Sequence, residues 1–208
     1  MMRYLALLLL PLSLYAGCFE PRGPYAGIEG GWGWQDFRSG SAGTNTFDNV
    51  VITSVSTQKS NDGGAGRIFA GFTSRCGLGV EGGAALYHDL DWLITTRFQS
   101  GAVSHIRMIA HTYALDFVAR GAWRPCCWLT LVGKAGIAYV NTRFSFTGGF
   151  REHTHAFRPV LAAGLSVPIW RCFSAEVTYS HIFWSGDLHR FHHTPSLDGI
   201  FAGIVYRP

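Results

Sequence analysis

Polarity alternates residue by residue in segment after segment of this chain, and the charges inside those segments share one parity. Tyr25 to Trp34 puts Ala26, Ile28, Gly30, Trp32 and Trp34 on one face and Tyr25, Gly27, Glu29, Gly31 and Gly33 on the other. Successive side chains of a strand point to opposite sides, so a period of two is the signature of a strand. The same reading finds Gly64 to Phe72, with Ile68, Ala70 and Phe72 on the apolar face, and Leu78 to Tyr87, with Leu78, Val80, Ala84 and Leu86 there. A fourth strand lies within His105 to Gly121, where Tyr113, Leu115, Phe117 and Ala119 form the apolar face. Trp128 to Val140, Phe157 to Val167, Phe173 to Phe183 and Gly199 to Arg207 complete the set. Glu29, Arg67, Glu81, Asp116, Arg120, Lys134, Arg158, Glu176 and Arg207 all take the opposite parity.

Two environments account for such a pattern. One face meets a medium in which a charge costs a few kcal/mol, and the other faces a polar interior. Charged residues make up only 14% of the 208 residues, well below the roughly one quarter usual for soluble domains. After the leader no run is apolar for long enough to form a membrane helix. Connections alternate in length: 35–63, 88–104, 141–156 and 184–198 are long, whereas those around Cys76, Pro125 and Pro168 are short. Trp123, Trp128 and Trp170 mark the short-turn ends, and Trp32, Trp34, Tyr139 and Trp184 the long-loop ends, as two interfacial girdles would. A soluble β-sandwich with Greek-key connections is the alternative, and it has no reason to alternate its loops this way. The chain is therefore predicted to be all-β, an eight-stranded antiparallel up-and-down transmembrane β-barrel, with the long loops outside the cell and the tight turns in the periplasm.

The N-terminus reads as an export signal over residues 1–16, with Arg3 as the basic start, Tyr4 to Leu14 as the apolar run and cleavage after Ala16. Residues 17–23 form a short periplasmic lead-in and 24–208 the barrel. Acylation of Cys18 after Tyr15-Ala16-Gly17 is the alternative leader chemistry. Export to an oxidising compartment makes the remaining cysteines candidates for disulfides. Cys76, Cys126, Cys127 and Cys172 all fall in the short turns, and Cys18 precedes the first strand. Bridges between neighbouring turns, or to other envelope proteins, are expected, although adjacent Cys126 and Cys127 should not pair with each other.

The chain resembles the OmpA/OmpX-like family of small outer-membrane barrels. Pro24-Tyr25-Ala26-Gly27-Ile28-Glu29-Gly30-Gly31-Trp32, Gly66 to Phe72, Ala114 to Gly121, Gly133 to Val140, Arg158 to Gly164 and Gly199 to Arg207 carry the resemblance. It implies residence in the bacterial outer membrane among phospholipid and lipopolysaccharide. It also implies assembly by the barrel-assembly machinery through a terminal aromatic, here displaced to Tyr206 ahead of Arg207-Pro208. The expected role is non-enzymatic: structural or adhesion-like, exercised through the extracellular loops on a host or envelope protein. A narrow ion or small-solute channel is the alternative, and a lipid-modifying enzyme the third reading.

Several groups carry candidate chemistry. The nine inward charges should pair into a network that fills the narrow lumen of an eight-stranded barrel. His153 and His155 in the third long loop and His189, His192 and His193 in the fourth have spacings able to present imidazoles to zinc or copper. Ser180-His181-Ile182-Phe183-Trp184-Ser185 is similar in flavour to the His-x-Ser site of lipid A deacylases, but its spacing is His181-x-x-x-Ser185, and Asp187 is the nearest acid. The loop from Phe37 to Asp62, with Val50-Val51-Ile52 inside it, either extends a hairpin beyond the membrane or offers an edge to a partner strand. No cofactor is expected. Basic residues are scattered singly under a net charge of +4, so nucleic acid is not an expected partner.

Overall fold

Strand alternation sets the architecture from the first residues onward. The computed structural model describes residues 22–36, 52–59, 62–98, 102–149, 151–183 and 196–208. Among these are ten strands and no helix: β1 (Gly23–Asp36), β2 (Ile52–Lys59), β3 (Asp62–Thr73), β4 (Leu78–Tyr87), β5 (Leu90–Phe98), β6 (Val103–Cys126), β7 (Leu129–Phe146), β8 (Arg151–Trp170), β9 (Phe173–Ile182) and β10 (Ser196–Tyr206). All pairings are antiparallel, and the ring runs β6–β4–β3–β1–β10–β9–β8–β7 and closes through β7 on β6. This is the eight-stranded closed barrel that the alternation predicts. Closure leaves the membrane part without an unpaired edge, the condition for backbone to cross lipid as strands.

The two remaining strands are outward continuations of barrel staves. The β3–β4 hairpin pairs Ala65 with Tyr87, and farther out the same hairpin continues as β2 on β5, with Lys59 opposite Trp92. β6 pairs with β4 through its inner half and with β5 through its outer half. The first two long connections are thus partly strand, and they pair with each other. The third is shorter than expected. β7 and β8 stay paired out to Ser145 and Arg151, and the tip turns through Gly148 and Gly149, whose φ angles of +106° and +84° exclude most side chains.

The barrel wall is consequently uneven. β6, β7 and β8 have 24, 18 and 20 residues, about twice the 9–11 that a crossing needs. β9 and β10 have 10 and 11. Five staves rise high above the lipid and three stop near its surface. The tall side ends in two edges without a strand partner among the described residues. One is β2; the other is the outer part of β8, because β9 reaches only to the pairing of Ile182 with Val160. Three prolines of the described strands sit where pairing is interrupted: Pro159 where β9 ends, and Pro125 and Pro168 at the two bulges beside the short turns.

The outer face is an apolar belt. Ile28, Ile68, Leu86, Phe117 and Ile137 are all more than half exposed, which in this fold means exposed to lipid. Trp123, Trp128 and Trp170 bound the belt at the short-turn end, and Trp32, Trp34, Phe157 and Tyr179 at the other. Residues 1–21, where the export signal and Cys18 were placed, lie outside the described residues.

Candidate functional site: the lumen and its mouths

Inward parity delivers charged side chains from every part of the ring to one level of the lumen. Arg67 on β3 reaches three carboxylates: Glu81 at 2.7 Å, Asp116 through two bonds at 2.7 and 3.0 Å, and Glu29 at 3.4 Å. Lys134 on β7 lies 3.0 Å from both Glu81 and Glu176. Arg120 on β6 donates to Glu176 at 3.2 Å and passes 3.9 Å from Glu81. The side chains of Glu29, Glu81, Arg120 and Glu176 are fully buried. Buried charges are tolerable only when partnered on several sides, and each cation here bridges at least two acids. Arg158 lies farther out, buried opposite Ala138, and Arg207 lies at the inner mouth, where it donates to Ser174 Oγ.

Two aromatic residues complete this layer without having been singled out for it. Tyr25 Oη donates to Glu81 at 3.0 Å, and its ring lies under Arg120 at 5.0 Å. Phe69 is flanked by Arg67 at 4.9 Å and Lys134 at 4.8 Å. Cation–π contacts of this kind strengthen where water is excluded. The signal was present in the sequence as inward parity, but an aromatic residue at such a position reads as filler. Gly27 makes room for Phe69: a Cβ there would stand 2.4 Å from the ring edge.

Apolar side chains fill the lumen at the level of these charges and outward of them, where Arg158 is buried among them opposite Ala138. Tyr87, Val118, Ala138, Val140, Val160 and Phe201 pack together, all less than a tenth exposed. Within this filling lies a cavity of about 20 Å³, bounded by Glu29, Arg67, Asp116, Thr178, Ser180 and Phe201 among others. That volume suits a single water molecule.

Cys76, Cys126, Cys127 and Cys172 occupy the short-turn end, where the sequence expectation placed them, and stand there as free thiols. In the exposed turn of Cys76, the Ser74 hydroxyl 3.0 Å away holds the thiol below its ordinary range. His153 and His155 are on strand β8 rather than in a loop, and both point outward. No group of three metal-ligating side chains occurs among the described residues, and His189, His192 and His193 lie outside them.

His181 has an acid partner that sequence spacing did not reveal. Asp198 on β10 lies opposite it; its Oδ1 is 2.7 Å from His181 Nδ1 and accepts from Tyr179 Oη at 2.5 Å. The trio faces outward beside a shallow groove of about 930 Å³ on the lipid side, floored by Ala119, Gly121, Gly133, Ala135 and Ala163. Phe183 meets the imidazole edge-on at 4.4 Å, and Ser185 and Asp187 lie outside the described residues.

A closed ring of eight antiparallel strands, with tight turns at one end, an apolar outer belt and a side-chain-filled lumen, defines the class: a small β-barrel of the outer-membrane type, with the OmpA/OmpX-like architecture. Solved structures share this fold, among them the following two. Neisserial surface protein A superimposes with a TM-score of 0.56 at 12% identity, over 91% of this chain and 100% of that one. OprG of Pseudomonas aeruginosa does so with a TM-score of 0.50 at 10% identity, over 90% and 97%. In sequence, an uncharacterized protein of Coxiella burnetii is 23% identical over 215 residues, spanning 89% of this chain and 85% of the relative. No family model matches the chain.

Proposed function

We propose that this protein is a non-enzymatic, structural and surface-interaction component of the bacterial outer membrane, which presents its tall strand wall to a host or envelope protein. The uneven wall carries this reading. Five paired staves continue past the outer girdle into water, where lipid no longer requires them, and among the described residues two edges are left with backbone groups able to receive a strand. The lumen supports a role outside conduction, because paired charges and the packed side chains of Val118, Val140, Val160 and Phe201 fill it. Replacing residues 143–154 by a two-residue turn should leave heat-modifiability on gels intact while lowering the adhesion of expressing cells to host-cell monolayers. Equal adhesion by trimmed and full-length protein, at equal surface levels, would refute the proposal.

One observation favours a lipid-modifying reading: Asp198 orients His181 beside an apolar groove. Mass spectrometry of envelope lipids from cells carrying wild type or Asp198→Asn distinguishes the two. An acyl chain removed only by wild type would establish the enzyme.

A further inference from the structure

Charge is distributed unequally along the barrel axis. Among the described residues, every carboxylate side chain lies in the lumen or on the outer half, whereas the short-turn end carries Arg22, Arg75, Arg124, Arg171 and Arg207. Four of these arginines, all but Arg75, line one cavity of about 300 Å³ at the inner mouth, and no carboxylate side chain lines it. Its polar floor is built from the inward residues Thr130, Ser166 and Ser174, each 5% exposed or less. Arg124 is fixed by a bond from its guanidinium to the Cys127 carbonyl, and its Nε is buried with no hydrogen-bond partner among the described residues.

We propose that this vestibule is a phosphate-binding site opening toward the periplasm. Guanidinium groups gathered around one cavity favour an anion among them, and the planar N–H fork of arginine matches the oxygens of phosphate. Buried hydroxyls on the floor supply further donors at no ordering cost. The cavity admits a phosphate group whether it is free in the periplasm or carried on the headgroup of an inner-leaflet phospholipid.

The test uses the whole barrel refolded in lipid nanodiscs, with wild type compared against Arg124→Gln/Arg171→Gln. Both positions are next to turns and outside the lumen network, and heat-modifiability checks that the variant is folded. In discs of phosphatidylcholine, titration with inorganic phosphate should give saturable heat for wild type and binding at least tenfold weaker for the variant. In discs of phosphatidylglycerol, native mass spectrometry should find lipid retained on wild type and released from the variant. Binding in the first arm identifies free phosphate as a source, and binding in the second identifies the headgroup. Indistinguishable behaviour of the two proteins in both arms would overturn the proposal, as would saturable binding of acetate with none of phosphate. A third protein, Arg171→Glu, guards against residual binding by the remaining arginines and should abolish the signal in either arm.

Discussion

Glu81 is the position at which the charged layer is most sensitive. Its Oε1 accepts from Arg67 at 2.7 Å and Lys134 at 3.0 Å, its Oε2 accepts from Tyr25 at 3.0 Å, and its side chain is fully buried. Glu81→Gln keeps the shape and removes the charge. Removing one partner of a buried pair costs about 3–5 kcal/mol. Here the orphaned cations keep other acids, since Arg67 retains Asp116 at 2.7 Å and Lys134 retains Glu176 at 3.0 Å. The expected loss therefore lies at the low end, about 3 kcal/mol, or roughly 100-fold in the unfolding equilibrium. Urea unfolding of the barrel in phosphatidylcholine vesicles, followed by tryptophan fluorescence and by heat-modifiability, would measure it, with an unchanged slope showing that the same structure is lost. Pairing Glu81→Gln with Lys134→Met should cost less than the sum of the single changes by more than about 1 kcal/mol, because the two residues share partners. A loss below about 0.5 kcal/mol for Glu81→Gln, the range of ordinary surface changes, would refute the account of the lumen as an interlocked network.

Other measurements address the remaining layers. In planar bilayers, wild type and Arg120→Ala should both conduct negligibly, whereas Tyr87→Ala/Phe201→Ala, which thins the apolar packing, should conduct; open wild-type channels would contradict the plug. Iodoacetamide should label Cys76 with a half-maximal rate below the ordinary thiol range, and Ser74→Ala should move that point upward. Identical pH profiles for the two proteins would count against the hydroxyl as cause. Above the lipid, Arg107 holds the Asp91 carboxyl below its usual range through bonds that include one of 2.9 Å. Because the folded value is the lowered one, this support is complete above the usual carboxylate range and is lost as pH falls through the folded value. Hydrogen exchange along β5 and β6 should accordingly quicken at acid pH in wild type and show no such step in Asp91→Asn.

Most of the membrane part was legible because lipid enforces a period of two. Each barrel strand shows its apolar face in the sequence, and the inward charges reveal themselves by parity. The outer extension was not legible for the complementary reason. β2 reads Ile-Thr-Ser-Val-Ser-Thr-Gln-Lys, a mixture without the apolar face that lipid enforces, so nothing in its composition separates strand from loop. The partnership of His181 with Asp198 was hidden by register. The two residues are 17 apart in the chain, and they become neighbours only once β9 and β10 are aligned. Arg22, Arg124 and Arg171 looked like isolated surface charges because their common cavity is formed by chain segments remote from one another.

The unequal height of the wall has a consequence for the seam of the barrel. Each tall stave carries a paired stretch well beyond its membrane span, whereas the described strands β9, β10 and β1 extend little past theirs. This low side is where the first and last strands of the barrel meet, in the pairing of β1 with β10. The seam between the first and last strands thus lies across the ring from β6 and β7, whose pairing is the longest of the wall.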